Sequence, residues 1–272
     1  MCKRTLVKIG VGLLVLSGCG VFAAWSYGLF DGSVHNANVG ANQTSETTNG
    51  NLTEALALAK AAQASLNKMP GYKCIYLRDE RIDNAMQENS LMLAVMHEPF
   101  SVMMEWAEPK IKSGRKAVYA TGKYDGKMIV KQLFVRKVLD INESISLKES
   151  RHTIAEAGLK NLVDRFVASW EEESKVNETN ARYSDATIEA TVNKKKYSYP
   201  CRCVETDHPM SAKDKYMFHT VKIYFDKATG LPVRMEGYEW PTEGGKPGRL
   251  MEKYTYIDVQ PQSVPNVKEF EL

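Results

Sequence analysis

Between Phe100 and Ala107 the chain alternates: Phe100, Val102, Met104 and Trp106 interleave with Ser101, Met103, Glu105 and Ala107. A period of two sends successive side chains to opposite faces of a strand, and a helix would scatter this set around its axis. Shorter segments rich in aromatic, branched and Met residues run over 72–82, 91–96 and 116–120, with Pro99, Pro109 and Gly114 among the breaks. The run Tyr124-Asp125-Gly126-Lys127 supplies a tight hairpin turn. Further strand-like segments fall at about 187–192, 199–206, 216–225, 231–240 and 250–259, with Asp226 to Gly230 as a hairpin loop. The pattern predicts consecutive antiparallel strands.

Two stretches carry the helical period instead. Asn51 can cap a helix with Glu54 three residues on; Leu52, Leu56, Ala59 and Leu66 then share a face, and Pro70 ends it. Thr153 and Glu156 form a capping box ahead of Ile154, Leu159, Leu162, Val163, Phe166, Val167 and Trp170. The acids Glu171, Glu172 and Glu173 close that segment against the helix dipole, so its last turn is expected to fray. Strands clustered around two helices indicate an α+β fold with a large antiparallel sheet. With 272 residues, 43% hydrophobic and 25% charged, the chain can bury one sizeable core and is neither disordered nor collagen-like. No internal repeat or second linker divides it, so one domain is expected over 51–272.

The amino terminus points to the compartment. Lys3, Arg4 and Lys8 precede an uncharged, largely apolar stretch from Ile9 to Phe30, close to the ~20 residues a membrane-crossing helix needs. Residues 1–30 therefore read as a signal peptide or an amino-terminal membrane anchor. Leu16-Ser17-Gly18-Cys19 has the form of a lipobox, which would make Cys19 a lipid anchor. The apolar run continuing through Trp25 and Phe30 suits an uncleaved span, and Val21 with Ala23 suits ordinary cleavage and secretion. All three readings export the remainder. Residues 31–50, rich in Asn, Ser, Thr and Gly, read as a flexible linker.

Lys3, Arg4 and Lys8 also account for the whole formal charge of +3, and a neutral remainder offers no footprint for nucleic acid. Five cysteines are too few for a disulfide scaffold. Cys74, Cys201 and Cys203 lie in the exported part, where a bridge from Cys74 to either of the other two competes with three reduced, buried thiols. The Cys-x-Cys spacing alone is not a zinc site. Met92, Met96, Met104, Phe100, Val102 and Trp106 could line an adaptable hydrophobic cavity or simply fill a core. Soft-metal binding by His97 and Met sulfurs is weakened because His97 points away from Met96 on a strand.

No nucleophile elbow, zinc-binding His-Glu-x-x-His or phosphate loop occurs, so no catalytic, metal or cofactor residue is assigned. Arg151 and His152 are the first pair to test should activity appear. Lys194-Lys195-Lys196 reads as a solvated hairpin turn with some capacity to touch anionic lipid heads.

Several segments together resemble a known family. They are Glu98 to Trp106, Val118 to Lys127, Ser150 to Ile154 with Gly158 to Leu162, and Glu252 to Tyr256. As an ordered set spanning 68 to 272 they are similar to the exported bacterial family DUF1571, a domain of unknown function whose members look like distant relatives of LolA and LolB, the periplasmic lipoprotein carriers. The resemblance implies a strongly curved antiparallel sheet, a half-barrel, with helices packed on its concave face and a greasy cavity between. It also favours Cys201 as the partner of Cys74. The function implied is non-catalytic binding of a lipid, acyl chain or lipoprotein in the bacterial cell envelope, with the membrane engaged through the amino terminus. A scaffold or regulatory protein-binding domain would instead have a filled core, and a hydrolase would need a reachable nucleophile. A pocket larger than roughly 300 Å³ favours the ligand binder.

Overall fold

The computed structural model describes residues 40–142, 149–242, 248–262 and 267–272. The amino-terminal apolar run and Cys19 lie outside the described residues, within which no helix is long and apolar enough to cross a membrane. In chain order the elements are β1 (Gly40–Gln43), β2 (Thr48–Gly50), α1 (Thr53–Asn67), β3 (Gly71–Ile82), β4 (Ala85–Met96), β5 (Ser101–Glu108), β6 (Lys116–Ala120), β7 (Met128–Gln132), β8 (Val135–Leu139), α2 (Leu159–Val176), β9 (Asn180–Val192), β10 (Lys195–Asp207), β11 (Thr220–Asp226), β12 (Pro232–Tyr238) and β13 (Leu250–Gln262).

Antiparallel ladders join the thirteen strands into one sheet in the order β1-β9-β10-β11-β12-β13-β3-β4-β5-β6-β7-β8, with β2 also on β9. Two meanders thus flank a seam between β13 and β3, where the two ends of the domain meet. Helix α2 carries the chain from the β8 end back to β9. The sheet is open and curled, as so many right-twisted strands must be when they do not close.

Side-chain alternation decides which face each residue serves. On β5, Val102, Met104 and Trp106 join the main core, while Met103 turns to a smaller cluster with Ala94, Met96, Val118 and Phe270. Ala55, Ala59, Ala62 and Leu66 of α1 and Leu159, Leu162, Val163, Val167 and Trp170 of α2 enter that same main core, so both helices pack on one sheet face. The alanines let α1 approach closely, and the larger α2 residues fill the rest.

Several expectations change. Residues 40–50, expected to belong to a flexible linker, form β1 and β2 on β9 from residues that remain exposed. Backbone pairing holds them, aided by Ser45 Oγ accepting the Asp185 N–H at 2.6 Å. At α1, Asn51 Oδ1 accepts the Thr53 N–H at 3.0 Å, but Glu54 reaches Arg202 instead of completing a capping box. The Thr153/Glu156 box is present but opens a 3₁₀ turn, Ile154–Glu156. Helix α2 starts five residues later than that box implied. Gly158, at φ +103, makes this second start, and the Tyr72 hydroxyl accepts the Leu159 N–H at 2.7 Å.

The last turn of α2 does not fray. Glu173 is buried there and accepts hydrogen bonds from Thr179 Oγ1 at 2.8 Å and His208 Nε2 at 3.2 Å, while Asn177 ends the helix in the left-handed region. The expected strand start at 216 also moves, to Thr220; Tyr216 instead stacks on His208 at 3.9 Å. The Cys74–Cys201 disulfide is not formed. All three described cysteines are free and buried, with Cys74 in the main core and Cys201 and Cys203 in a separate cluster with Ile188 and Val233.

Candidate functional site

Between the helix-side face of β3 and β5 to β8 and the segment from Glu149 to Leu162 lies a solvent-open cavity of about 470 Å³. Tyr76, Met104, Trp106, Met128, Val130 and Tyr256 supply most of its sheet side, and Ile154, Ala157 and Leu162 cover it. Strand alternation aims Met104 and Trp106 into this space together, because both lie on the helix-side face of β5. Of the six residues expected to line a cavity, these two do.

The other four are placed differently. Val102 shares the face but is sealed in the core, and Phe100 packs against that core with its ring 6.2 Å from Tyr119. Met92 and Met96 alternate away from Leu91, Leu93 and Val95, and Met96 belongs to the opposite-face cluster. Met128 was missed because β7 is short and its face could not be assigned until β6 paired with it. The His97 ring turns to the Met69 carbonyl, 2.7 Å from Nδ1. Burial, moreover, lowers its pKa.

One wall of the cavity is charged. Pairing of β13 with β3 sets Glu80 and Glu252 directly opposite each other, each only 1% exposed. Like charges in such register repel, so the arrangement depends on what surrounds them. Tyr254 Oη donates to Glu80 Oε1 at 2.6 Å and lies 3.2 Å from Glu252 Oε2. Arg151 Nε and His152 Nε2 approach Glu252 Oε2 at 3.1 and 3.0 Å. On the Glu80 side, the Arg151 N–H donates to Oε2 at 3.2 Å, Ser150 Oγ donates to Oε1 at 3.3 Å, and the Arg78 guanidinium stands 3.7 Å away.

Protonation follows from these contacts. Burial opposes charging of His152, but the hydrogen bond and charge of Glu252, with help from Glu156, outweigh it and raise the imidazole above its ordinary 6.5. Burial and then the Glu252 charge push the Tyr254 hydroxyl far up, so it stays a donor. Burial likewise raises the Cys201 thiol to about 12 and the Cys203 thiol to about 11, which makes both poor nucleophiles.

The cluster reads as a densely bonded wall in which the buried Arg78 Nε, 3.7 Å from Glu80, is left without a hydrogen bond. Ser150 Oγ is engaged with Glu80 and Arg78 and accepts the backbone N–H of His152, while the His152 ring turns to Glu252. Among the described residues no three His, Cys, Asp or Glu side chains converge as a metal would need. Beyond the wall a second cavity of about 220 Å³ shares His152, Leu162, Arg165 and Tyr254 with the first and reaches Glu173, His208 and Met217.

The sequence matches the family described as "Protein of unknown function (DUF1571)" over residues 69–271. The chain belongs to this family. In this DUF1571 protein two of the segments that carried the resemblance, Ser150 to Ile154 and Glu252 to Tyr256, meet in the charged wall through Arg151, His152 and Glu252. No curated protein matches the sequence.

Among solved structures, a DUF1329 family protein from Desulfovibrio piger is 12% identical, covering 82% of this chain and 98% of its own, with a TM-score of 0.39. The Mycobacterium tuberculosis lipoprotein LppX is 11% identical over 79% of this chain and 98% of its own, with a TM-score of 0.43. A LolA superfamily protein from Nitrosomonas europaea is 11% identical over 79% and 96%, with a TM-score of 0.31.

Proposed function

We propose that this DUF1571 protein is a non-catalytic envelope protein that holds a lipid, an acyl chain or the lipidated end of a lipoprotein in the larger cavity. The observation that carries the reading is the open space of about 470 Å³ bounded by Met104, Trp106, Met128 and Leu139. A filled core would suit a scaffold; this volume is in the range of small-molecule sites. Each buried CH₂ of an acyl chain contributes about 0.8 kcal/mol, and unbranched thioethers adapt to a flexible chain. In this reading the helix-covered face is the concave face of a half-barrel. The amino-terminal apolar segment supports export and tethering to the membrane, with the domain facing the periplasm or exterior.

Native mass spectrometry of the full-length protein, purified in mild detergent from a bacterial envelope and followed by organic extraction, tests this. A stoichiometric lipid released on denaturation is the expected result. An apo mass that persists after incubation with phospholipid and acylated peptide would refute carriage.

A further inference from the structure

The β7–β8 hairpin turns at Leu133 and Phe134, beside the cavity mouth. Leu133 is 79% exposed, Phe134 wholly exposed and Val135 57% exposed. A second loop joins this tip: Gln132 Nε2 donates to the Ile111 carbonyl at 2.8 Å, and Arg115 Nε donates to Gln132 Oε1 at 3.0 Å. Ile111, 82% exposed, therefore stands with the hairpin. Large apolar side chains gathered at a protruding tip gain nothing from the fold beneath and mark a contact surface.

Charge indicates what makes the contact. From Lys110 to Leu139 there are nine Lys and Arg residues and one acid, Asp125, although the chain beyond its first thirty residues is neutral. Lys112 and Arg115 pair with Glu149, Lys116 with Glu105 and Lys123 with Glu271. Lys110, Lys127, Lys131 and Lys137 have no ion pair among the described residues. An apolar tip with a basic surround matches a surface that is anionic outside and hydrocarbon within. A second copy pairing along the exposed β8 edge would oppose like charges.

We propose that the β7–β8 tip docks the protein onto an anionic lipid bilayer, with Ile111, Leu133, Phe134 and Val135 at the headgroup boundary and the surrounding lysines on lipid phosphates. Leu133, Val135 and Lys137 also line the larger cavity, so docking brings its mouth to the membrane surface. The inference goes beyond carriage and stands even if the cavity holds no lipid, because it rests on the tip and its charge alone.

The test compares the full-length protein with its Phe134→Trp variant, each reconstituted into vesicles with brominated acyl chains, of phosphatidylcholine alone or mixed with phosphatidylglycerol. Readout at the tip separates docking from any attachment by the amino terminus. In the phosphatidylglycerol vesicles the emission added by the introduced indole is expected to shift to the blue and to be lost to bromine quenching. Both effects should disappear in phosphatidylcholine alone, and when Lys131→Gln and Lys137→Gln are added.

Solvent-like, unquenched emission in the anionic vesicles would overturn the proposal. So would equal quenching in both vesicle types, or a blue shift without quenching together with a sedimenting dimer, which would assign the tip to a second copy. Phe134 packs on nothing, and unchanged circular dichroism would show that the substitution leaves the fold intact. Lipid extraction from the cavity reports separately on carriage.

Discussion

The β13–β3 seam and the β7–β8 hairpin border the same cavity and treat charge in opposite ways. At the seam Glu80, Glu252 and Arg78 are buried, and the half-buried Arg151 and His152 close on Glu252 at 3.1 and 3.0 Å. At the hairpin Lys131 and Lys137 are exposed without an ion pair among the described residues, beside apolar side chains that are also exposed. Removing a buried partner strands another charge, whereas removing an exposed one returns water to water. The seam should therefore govern stability and the hairpin association.

The largest effect should come from Glu252→Ala, which strands Arg151 and His152 and should cost roughly 3–5 kcal/mol in denaturant unfolding. A cost under about 1 kcal/mol would put the seam in the same class as a surface pair and collapse the contrast. Tyr254→Phe removes the donor to Glu80 and should cost about 1.5–3 kcal/mol by the same assay, as a hydrogen bond to a charged group does.

The His152–Glu252 pair adds a pH dependence. Because the folded imidazole titrates above its ordinary 6.5, its contribution is fully present below that pH and is lost as pH rises through the raised value. The stability gap between wild type and His152→Asn should be widest in mildly acidic buffer and narrow towards alkaline pH; a gap that widens with pH would contradict the pairing. The smallest effect belongs to the hairpin: Leu133→Ser with Phe134→Ser should change unfolding free energy by no more than about 0.5 kcal/mol per substitution. A larger loss would mean that the tip supports the fold.

Much of the architecture could be read from local pattern. The alternation along β5 placed Met104 and Trp106 on one face, and the helical period named Leu159, Leu162, Val163, Val167 and Trp170 as a buried stripe, because each signal is contained in a few neighbouring residues. The strands at 40–43 and 48–50 carried no such signal, since backbone pairing to β9 requires no apolar side chain. The acidic end of α2 misled for a related reason: the dipole argument is local, and His208, which rescues Glu173, arrives from the loop after β10.

The charged wall shows the same division. Arg151, His152 and the Glu252 to Tyr256 segment stood out in the sequence, but Glu80 and Arg78 did not, and nothing linked the groups until β13 closed onto β3. The cysteines were judged by spacing and by family likeness, and the sheet put Cys74 in a different packed cluster from Cys201.

What the sequence determined by itself was the α+β class, most strands, two helical stripes and membership of the DUF1571 family, because period, turn chemistry and ordered short motifs are each carried by neighbouring residues. Tertiary structure alone decided which β3 residues meet β13, which methionines face the cavity, and that the apolar tip stands at its mouth. Those facts depend on strand order and register, which bring together residues too distant along the chain for any local pattern to connect.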